Sequence, residues 1–191
     1  MGIVRRVCMP GALLLLTAQP SLAAQFVHPS LGYSFTYPDS WQVVVYPTPG
    51  RPVSVTTSPE CDHGPVDIPP SCVVINIQVL PSDQTNDSAI SNLPPFDTLA
   101  IRTKCSIRGI PAERLDGDGE QGEKAAVAVR ISGKQFLLML SYFPDNPDAA
   151  KWEKVLDDLI ASISVAEPEP PRIAPVTPQF PGPGVRPGKR S

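Results

Sequence analysis

Hydrophobic residues alternate with polar ones along much of the chain after residue 32, a period of two that is typical of β-strands. The segments with this pattern are residues 33–37, 53–55 and 73–79, and the more continuously apolar residues 41–46, 125–131 and 135–143 are further predicted strands. Ser132, Gly133 and Lys134 separate the last two segments, and so short a connection predicts a tight hairpin. The pattern therefore predicts a largely antiparallel sheet.

Residues 135–143 are the most informative of these segments because both faces of the predicted strand are apolar. Phe136 and Leu138 face one side, whereas Leu137 and Met139 face the other. A strand of this kind belongs in the middle of a sheet that is covered on both sides. We therefore predict an α+β fold in which helices flank an antiparallel β-sheet.

Two segments are candidates for covering the sheet. In residues 148–163, apolar side chains recur at helical spacing with charged side chains opposite, which predicts an amphipathic helix. The second candidate is residues 87–103, where Pro94 and Pro95 allow at most a short helix from about Phe96. Each helix would cover one face of the sheet.

The first 24 residues have the three parts of an export signal. Arg5 and Arg6 form a positive start, residues 12–16 are apolar, and small residues precede a cleavage position after Ala23 or Ala24. Prolines interrupt the apolar run, which is shorter than the roughly 20 residues of a membrane span. We predict a signal peptide at residues 1–24 and a secreted or periplasmic protein, soluble after cleavage; an uncleaved membrane anchor is the alternative.

Residues 166–191 differ from the rest in composition. Prolines occupy eight of these 26 positions, and large apolar side chains are few. Such a segment buries too little apolar surface to offset its chain entropy, so we predict a disordered, proline-rich tail. A tether or a short recognition segment is the alternative, because proline-rich chains favour polyproline II, which docks in aromatic grooves. Residues 25–165 then form one domain.

The net charge of the chain bears on the kind of partner that it can bind. Loss of Arg5 and Arg6 from the 16 basic residues leaves 14 against 19 acidic residues, a formal charge of −5. The acidic excess lies in residues 25–165, whereas the tail is slightly basic. Nucleic-acid binding requires clustered Lys and Arg, so we expect no nucleic-acid partner.

Two motifs carry a resemblance to a known family. The first is GYSFTYPDSW at residues 32–41, and the second is GIPAER at residues 109–114. They resemble the opening strand and the mid-domain strand entry of the PsbP-like α/β/α sandwiches, a superfamily named after an extrinsic subunit of photosystem II and common among exported bacterial proteins. The resemblance covers residues 26–165 and implies an antiparallel sheet between helices. It implies no catalytic residues, because many bacterial members are uncharacterised binding or accessory proteins, and a photosynthetic role is unsupported.

Three cysteines follow the predicted signal peptide: Cys61, Cys72 and Cys105. Outside the cytoplasm two of them should form a disulfide. Cys61 and Cys72 are the favoured pair, because the loop between them is short and rich in turn-forming residues. Cys105 is then a free thiol or, alternatively, the partner of one of the other two.

Two clusters contain residue types that bind metals. Cysteine and histidine near residues 61–72 are zinc ligands, but their spacing matches no established zinc finger and a disulfide would compete. Acidic residues alternate with glycine at 116–120, as in part of a calcium loop, but the full ligand pattern is missing. We therefore expect no metal and no cofactor. The weak metal candidates are His63, Asp116, Asp118 and Glu120.

The sequence contains no established catalytic motif. It lacks the Gly-x-Ser-x-Gly elbow, the His-Glu-x-x-His motif, a phosphate-binding glycine loop and a dinucleotide fingerprint. It therefore favours an exported, non-catalytic binding or accessory protein that acts on another envelope or secreted protein. The alternative is a small extracytoplasmic enzyme or metal-dependent module that uses the Cys61–Cys72 loop or the acidic turn at residues 116–120.

Overall fold

A computed structural model of the chain describes residues 23–48, 50–62, 71–119, 122–143 and 146–166. Most of the predicted signal peptide (residues 1–22) and nearly all of the predicted tail (residues 167–191) lie outside these ranges. His63 and Glu120, two of the weak metal candidates, also lie outside them.

Seven antiparallel strands form the main sheet. They are β3 (Gln42–Val45), β4 (Val53–Thr56), β5 (Val73–Leu80), β6 (Ile101–Ile107), β7 (Ile110–Asp116), β8 (Glu123–Ile131) and β9 (Lys134–Tyr142). Their spatial order is β3-β4-β5-β9-β8-β7-β6. β9 pairs with β5 on one side and β8 on the other, so the strand with two apolar faces is central, as predicted.

Three further strands form a smaller sheet, which the pattern of alternation did not separate from the larger one. They are β1 (Ala23–Val27), β2 (Tyr33–Pro38) and β10 (Ser164–Val165), in the order β1-β2-β10. β1 begins at the predicted cleavage site, where Ala23 and Ala24 pair with Pro38 and Tyr37 of β2.

Two helices flank the main sheet. α2 (Ala149–Ser162) buries Leu156, Leu159 and Ile160 in the principal core, which also contains β2 and one face of β4, β5, β8 and β9. α1 (Asn86–Ser91) covers the other face, where Ala89 and Ile90 pack with apolar residues of β8 and β9. The predicted α+β fold with flanking helices is therefore confirmed. Neither described helix has the length and hydropathy that a bilayer span requires.

The prediction of a short helix from Phe96 is wrong. The helix of this region is α1, which ends before Pro94 and Pro95 rather than following them. Thr85 and Ser88 determine where it starts, because each side chain bonds to the backbone N–H of the other residue in a capping box. The prolines instead stop the chain from continuing as a helix.

Two hairpin turns share a backbone conformation that glycine favours at the second central position of each. Ser132 and Gly133 have φ values of 46° and 81°, so both central residues of the β8–β9 turn are left-handed. Arg108 and Gly109 repeat this conformation between β6 and β7 with φ values of 48° and 88°. Two-residue turns of this kind match the twist of antiparallel strands. The predicted hairpin at residues 132–134 is confirmed.

The packing predicts which leucine stabilises the fold. Leu156 is 0% exposed and Leu99 is 80% exposed. We expect Leu156→Ala to lower the free energy of unfolding by about 3 kcal/mol, because it removes apolar contacts and leaves a cavity. Urea unfolding measures this loss. Leu99→Ala is the matched control, with an expected change of about 0.5 kcal/mol or less; equal losses for both variants would contradict this account of the core.

Candidate functional site

The predicted acidic turn lies beside a cavity of about 310 Å³. β7 ends at Asp116, and the turn brings Asp116 and Asp118 near Asp97 and Glu153. The remaining described residues that line the cavity are Leu99, Gly117, Lys124 and Tyr142. The structure thus collects two of the sequence-predicted acids together with two that the sequence analysis did not name.

Basic side chains neutralise much of this acidic cluster. Arg114 Nε lies 2.7 Å from Asp116 Oδ1, and Arg114 Nη1 lies 3.3 Å from Asp157 Oδ1. Lys124 donates to Asp118. Since the Arg114 side chain is only 13% exposed, water screens its ion pairs less than it screens surface pairs. Asp116 and Asp118 therefore act as ion-pair partners.

The turn provides no metal centre among the described residues. No group of three or more Asp, Glu, His or Cys side chains in those ranges is arranged to hold an ion. Gly117 also has a packing role, because a Cβ atom there would lie 2.6 Å from Ala100 Cβ. The alternation of glycine with acids thus has a structural reason that is independent of calcium.

Burial and charge shift the acid–base behaviour of this cluster. Burial raises the pKa of Asp157, an effect that nearby Arg114 opposes and Glu153 reinforces. Burial likewise raises the pKa of Tyr142, and Glu153 adds to the increase. These shifts accompany a half-buried ion-pair network on the surface of α2 and β7.

Cys61 and Cys72 are at disulfide distance. Their Sγ atoms lie 2.12 Å apart and their Cα atoms 5.4 Å apart. Cys61 belongs to a single 3₁₀ turn (Pro59–Asp62) after β4, and Cys72 directly precedes β5. Both are buried with Val74, so the bridge closes the connection between two paired strands. The loop residues 63–70 lie outside the described ranges.

Cys105 lies far from this pair. It is half-buried in β6, opposite Ala112 of β7, and packs against the principal core. Four strand spacings separate β6 from β5, a distance of about 19 Å at ~4.8 Å per spacing. In this fold, neither Cys61 nor Cys72 can reach Cys105.

A second concave site is apolar, and we call it the apolar groove. Its volume is about 380 Å³. Three segments that are distant in sequence line it. They are the β1–β2 turn with the first residue of β2 (residues 28–31 and 33), the end of β3 with the loop before β4 (residues 45–48, 50 and 51), and residues 77–79 of β5. It lies between the β1–β2 turn of the small sheet and strands β3 and β5 of the main sheet.

His28 holds one wall of the apolar groove in shape. Its Nδ1 accepts hydrogen bonds from the backbone N–H groups of Ser30 and Leu31, at 3.2 and 3.1 Å. The backbone N–H of His28 donates to the Tyr33 carbonyl at 2.8 Å, closing the turn. Burial lowers the pKa of His28, which favours the neutral imidazole that these bonds require. His28 is thus a structural residue of the groove.

Aromatic rings build the groove. Tyr33 is 2% exposed and packs edge-to-face on Phe136 of β9, with ring centroids 5.4 Å apart. The guanidinium group of Arg51 lies over the Tyr46 ring, 5.7 Å from its centroid. Leu31 and Val45 stay 41% exposed, so the site presents apolar side chains to solvent.

Neither a family model nor a curated protein matches the sequence. Solved structures of similar fold include cyanobacterial PsbP (CyanoP) from Synechocystis sp. PCC 6803, with a TM-score of 0.43 and 18% identity over 82% of this chain and 98% of that one. LpqN, involved in cell envelope biogenesis of Mycobacterium tuberculosis, has a TM-score of 0.44 and 17% identity over 76% and 91% of the two chains.

The Ran-binding protein Mog1p of Saccharomyces cerevisiae is also similar, with a TM-score of 0.47 and 8% identity over 75% of this chain and 95% of that one. The superfamily that the sequence motifs resemble is thus represented among structures of similar fold. Because these TM-scores are below 0.5, the likenesses carry no argument about what this chain binds or does.

A disulfide between Cys61 and Cys72 should affect both the mass of the protein and its free energy of unfolding. Under non-reducing conditions we expect the oxidised protein to be lighter than its reduced form by two hydrogen atoms, with Cys105 still accessible to alkylation after unfolding. Cys61→Ala with Cys72→Ala should lower the free energy of unfolding by about 3 kcal/mol, the loop-entropy value for a separation of 11 residues. Cys105→Ala is the control, and a mass difference lost in that variant would show a different pairing.

Because the Tyr33 hydroxyl is buried, we expect the folded protein to lose stability at alkaline pH. Burial raises its pKa from 10.0 to about 12. The folded state therefore retains the proton that the unfolded state releases, and the free energy of unfolding falls across this window by about 1.4 kcal/mol per pH unit. Urea unfolding between pH 9 and 12 measures the slope. Tyr33→Phe should reduce the slope and leave only the part that the buried Tyr142 contributes, and an unchanged slope in Tyr33→Phe would refute the assignment.

Proposed function

We propose that the chain is an exported, non-catalytic binding protein that holds a short apolar segment of another envelope or secreted protein in the apolar groove. The observation that carries this proposal is the exposure of apolar side chains around a preformed concave site. Six large hydrophobic residues are exposed among the described residues, and Val27, Leu31 and Val45 lie on or next to the groove. Clustered exposed apolar side chains beside a pocket favour an interaction site.

The lining of the groove suggests the chemistry of its ligand. Apolar and aromatic side chains provide most of the surface, and Arg51 is the one described lining residue with a fixed charge. An extended segment with small or cyclic apolar side chains and a nearby carboxylate would satisfy both features. The rigid turn at residues 28–33 and the Tyr46–Arg51 contact mean that little ordering accompanies binding.

Export is the second part of the proposal. We propose cleavage after Ala23 or Ala24, one domain at residues 25–165, and a proline-rich tail at residues 166–191. Cleavage leaves Phe26 in β1, where its ring lies 5.1 Å from that of Phe35, so the small sheet persists. Cysteines at disulfide distance support an oxidising compartment, the periplasm or the cell exterior.

Two edge-strand residues allow a matched test of the groove. Val45 of β3 is 41% exposed and lines the groove; Ile101 of β6 is 64% exposed and lies on the opposite edge of the main sheet. A glutamate at either position should leave folding intact, but only Val45→Glu places a charge in the groove. Photo-crosslinking from a probe at Leu31 in the native host should capture a partner with wild-type and Ile101→Glu protein, and at least tenfold less with Val45→Glu.

Equal capture by the two glutamate variants would contradict binding at the groove. Circular dichroism and urea unfolding of each variant supply the folding control.

A further inference from the structure

The described chain ends beside the apolar groove. β10 pairs antiparallel with β2, with Val165 opposite Tyr33. The backbone N–H of Ala166 then donates to the carbonyl of Gly32 at 2.8 Å. Gly32 lies between Leu31 and Tyr33, two residues that line the groove. Glu167 is therefore the next residue after Ala166, which is hydrogen-bonded to Gly32 at the wall of the groove.

The direction of β10 also points toward the groove. Because β10 runs antiparallel to β2, each further residue advances toward the start of β2 and the turn at residues 28–31. In polyproline II, six residues extend about 19 Å at ~3.1 Å each. The first residues after Ala166 can thus span a site of about 380 Å³ without a linker.

The sequence after Ala166 has the features that the groove requires. Residues 167–173 are Glu-Pro-Glu-Pro-Pro-Arg-Ile, in which three prolines favour polyproline II. Such segments dock in grooves lined by aromatic rings with little loss of chain entropy. Glu167 and Glu169 come first, and the one fixed charge among the described lining residues of the groove is Arg51. The prolines therefore suit the apolar lining, and the two glutamates, which precede the basic Arg172, suit the charge of Arg51.

We propose that residues 167–173 of the chain occupy the apolar groove of the same molecule and compete with its partner. This inference shares the groove with the proposed function and makes the tail its regulator. A directly attached segment has an effective concentration in the millimolar range, so even a millimolar dissociation constant would fill about half of the grooves. A partner segment must then displace the tail, which reduces its apparent affinity by the unoccupied fraction.

The test compares residues 23–191 with residues 23–166, which retain every described element, by amide NMR without any partner. We expect chemical-shift differences at the non-proline residues of 28–33, 45–48, 50–51 and 77–79, and none in β6 or β7. The differences should persist on hundredfold dilution, because the contact is intramolecular. Identical groove shifts in the two chains would overturn the proposal, and differences that vanish on dilution would assign the contact to a second copy and overturn it as well.

Charge reversal provides an independent readout. In residues 23–191, Arg51→Glu should reduce the tail-dependent shifts, and Glu167→Arg with Glu169→Arg should restore them in that background. Arg186→Glu with Lys189→Glu is the control, since it changes distal tail charge. The contact with Arg51 supports the docking. It would be contradicted if Glu167→Arg with Glu169→Arg did not restore the shifts, or if Arg186→Glu with Lys189→Glu had an equal effect.

A synthetic peptide of residues 167–173 separates this inference from the proposed function. It should shift the groove amides of residues 23–166 and bind residues 23–191 at least about twofold more weakly, because the tethered segment fills half of the sites. Equal affinities of the peptide for the two chains would overturn occupancy by the tail. They would not affect the proposed function, which partner crosslinking at Leu31 tests independently. Conversely, tail docking with no crosslinked partner would confirm occupancy of the groove by the tail and would remove both the proposed function and the competition.

Discussion

The burial of β9 on both of its faces is the constraint on which the other elements depend. Phe136, Leu138 and Leu140 are fully buried on one side, and Leu137 is 5% exposed on the other. A single covering layer would leave one of these faces in water, at a cost of roughly 25 cal/mol for each Å² of apolar area. The small sheet and α2 cover the first face, and α1 covers the second.

The side of the sheet that α1 covers is held by polar as well as apolar contacts. Gln135 at the start of β9 is 0% exposed and donates from Nε2 to Asn86 Oδ1 at 2.8 Å. Arg102 of β6 contacts the Asp87 carboxylate at 2.7 Å and the Glu113 carboxylate at 2.6 Å. A helix of six residues is too short to be stable alone, so these contacts and the burial of Ile90 stabilise it.

Local pattern predicted the elements with the strongest periodicity and missed those that depend on distant partners. α2 was found because its apolar residues recur over four turns, and β9 because its two apolar faces require a central position. α1 has only two buried residues and a Thr85–Ser88 capping box, in which serine replaces the more common Glu or Gln. The split into two sheets also escaped prediction, since alternation at residues 33–37 is the same in either sheet.

The candidate sites show the same limit. Spacing revealed the acids at 116–120 but not Arg114 and Lys124 as their partners, which depends on how β7, β8 and α2 pack. The apolar groove could not be predicted because its three walls are separated by long stretches of sequence. Turn-forming residues in the loop correctly singled out Cys61 and Cys72 as neighbours, because a short loop makes closure a local property.

The pairing of β10 with β2 also bears on the order in which the chain folds. Ser34 Oγ and Ser164 Oγ lie 2.8 Å apart across a separation of 130 residues, so the third strand of the small sheet waits for nearly the whole domain to emerge. Contacts of such long range close late, after local hairpins and helices have formed. If the chain crossed a membrane starting from its N-terminus, the small sheet would therefore lack its third strand until the last residues of the domain had crossed.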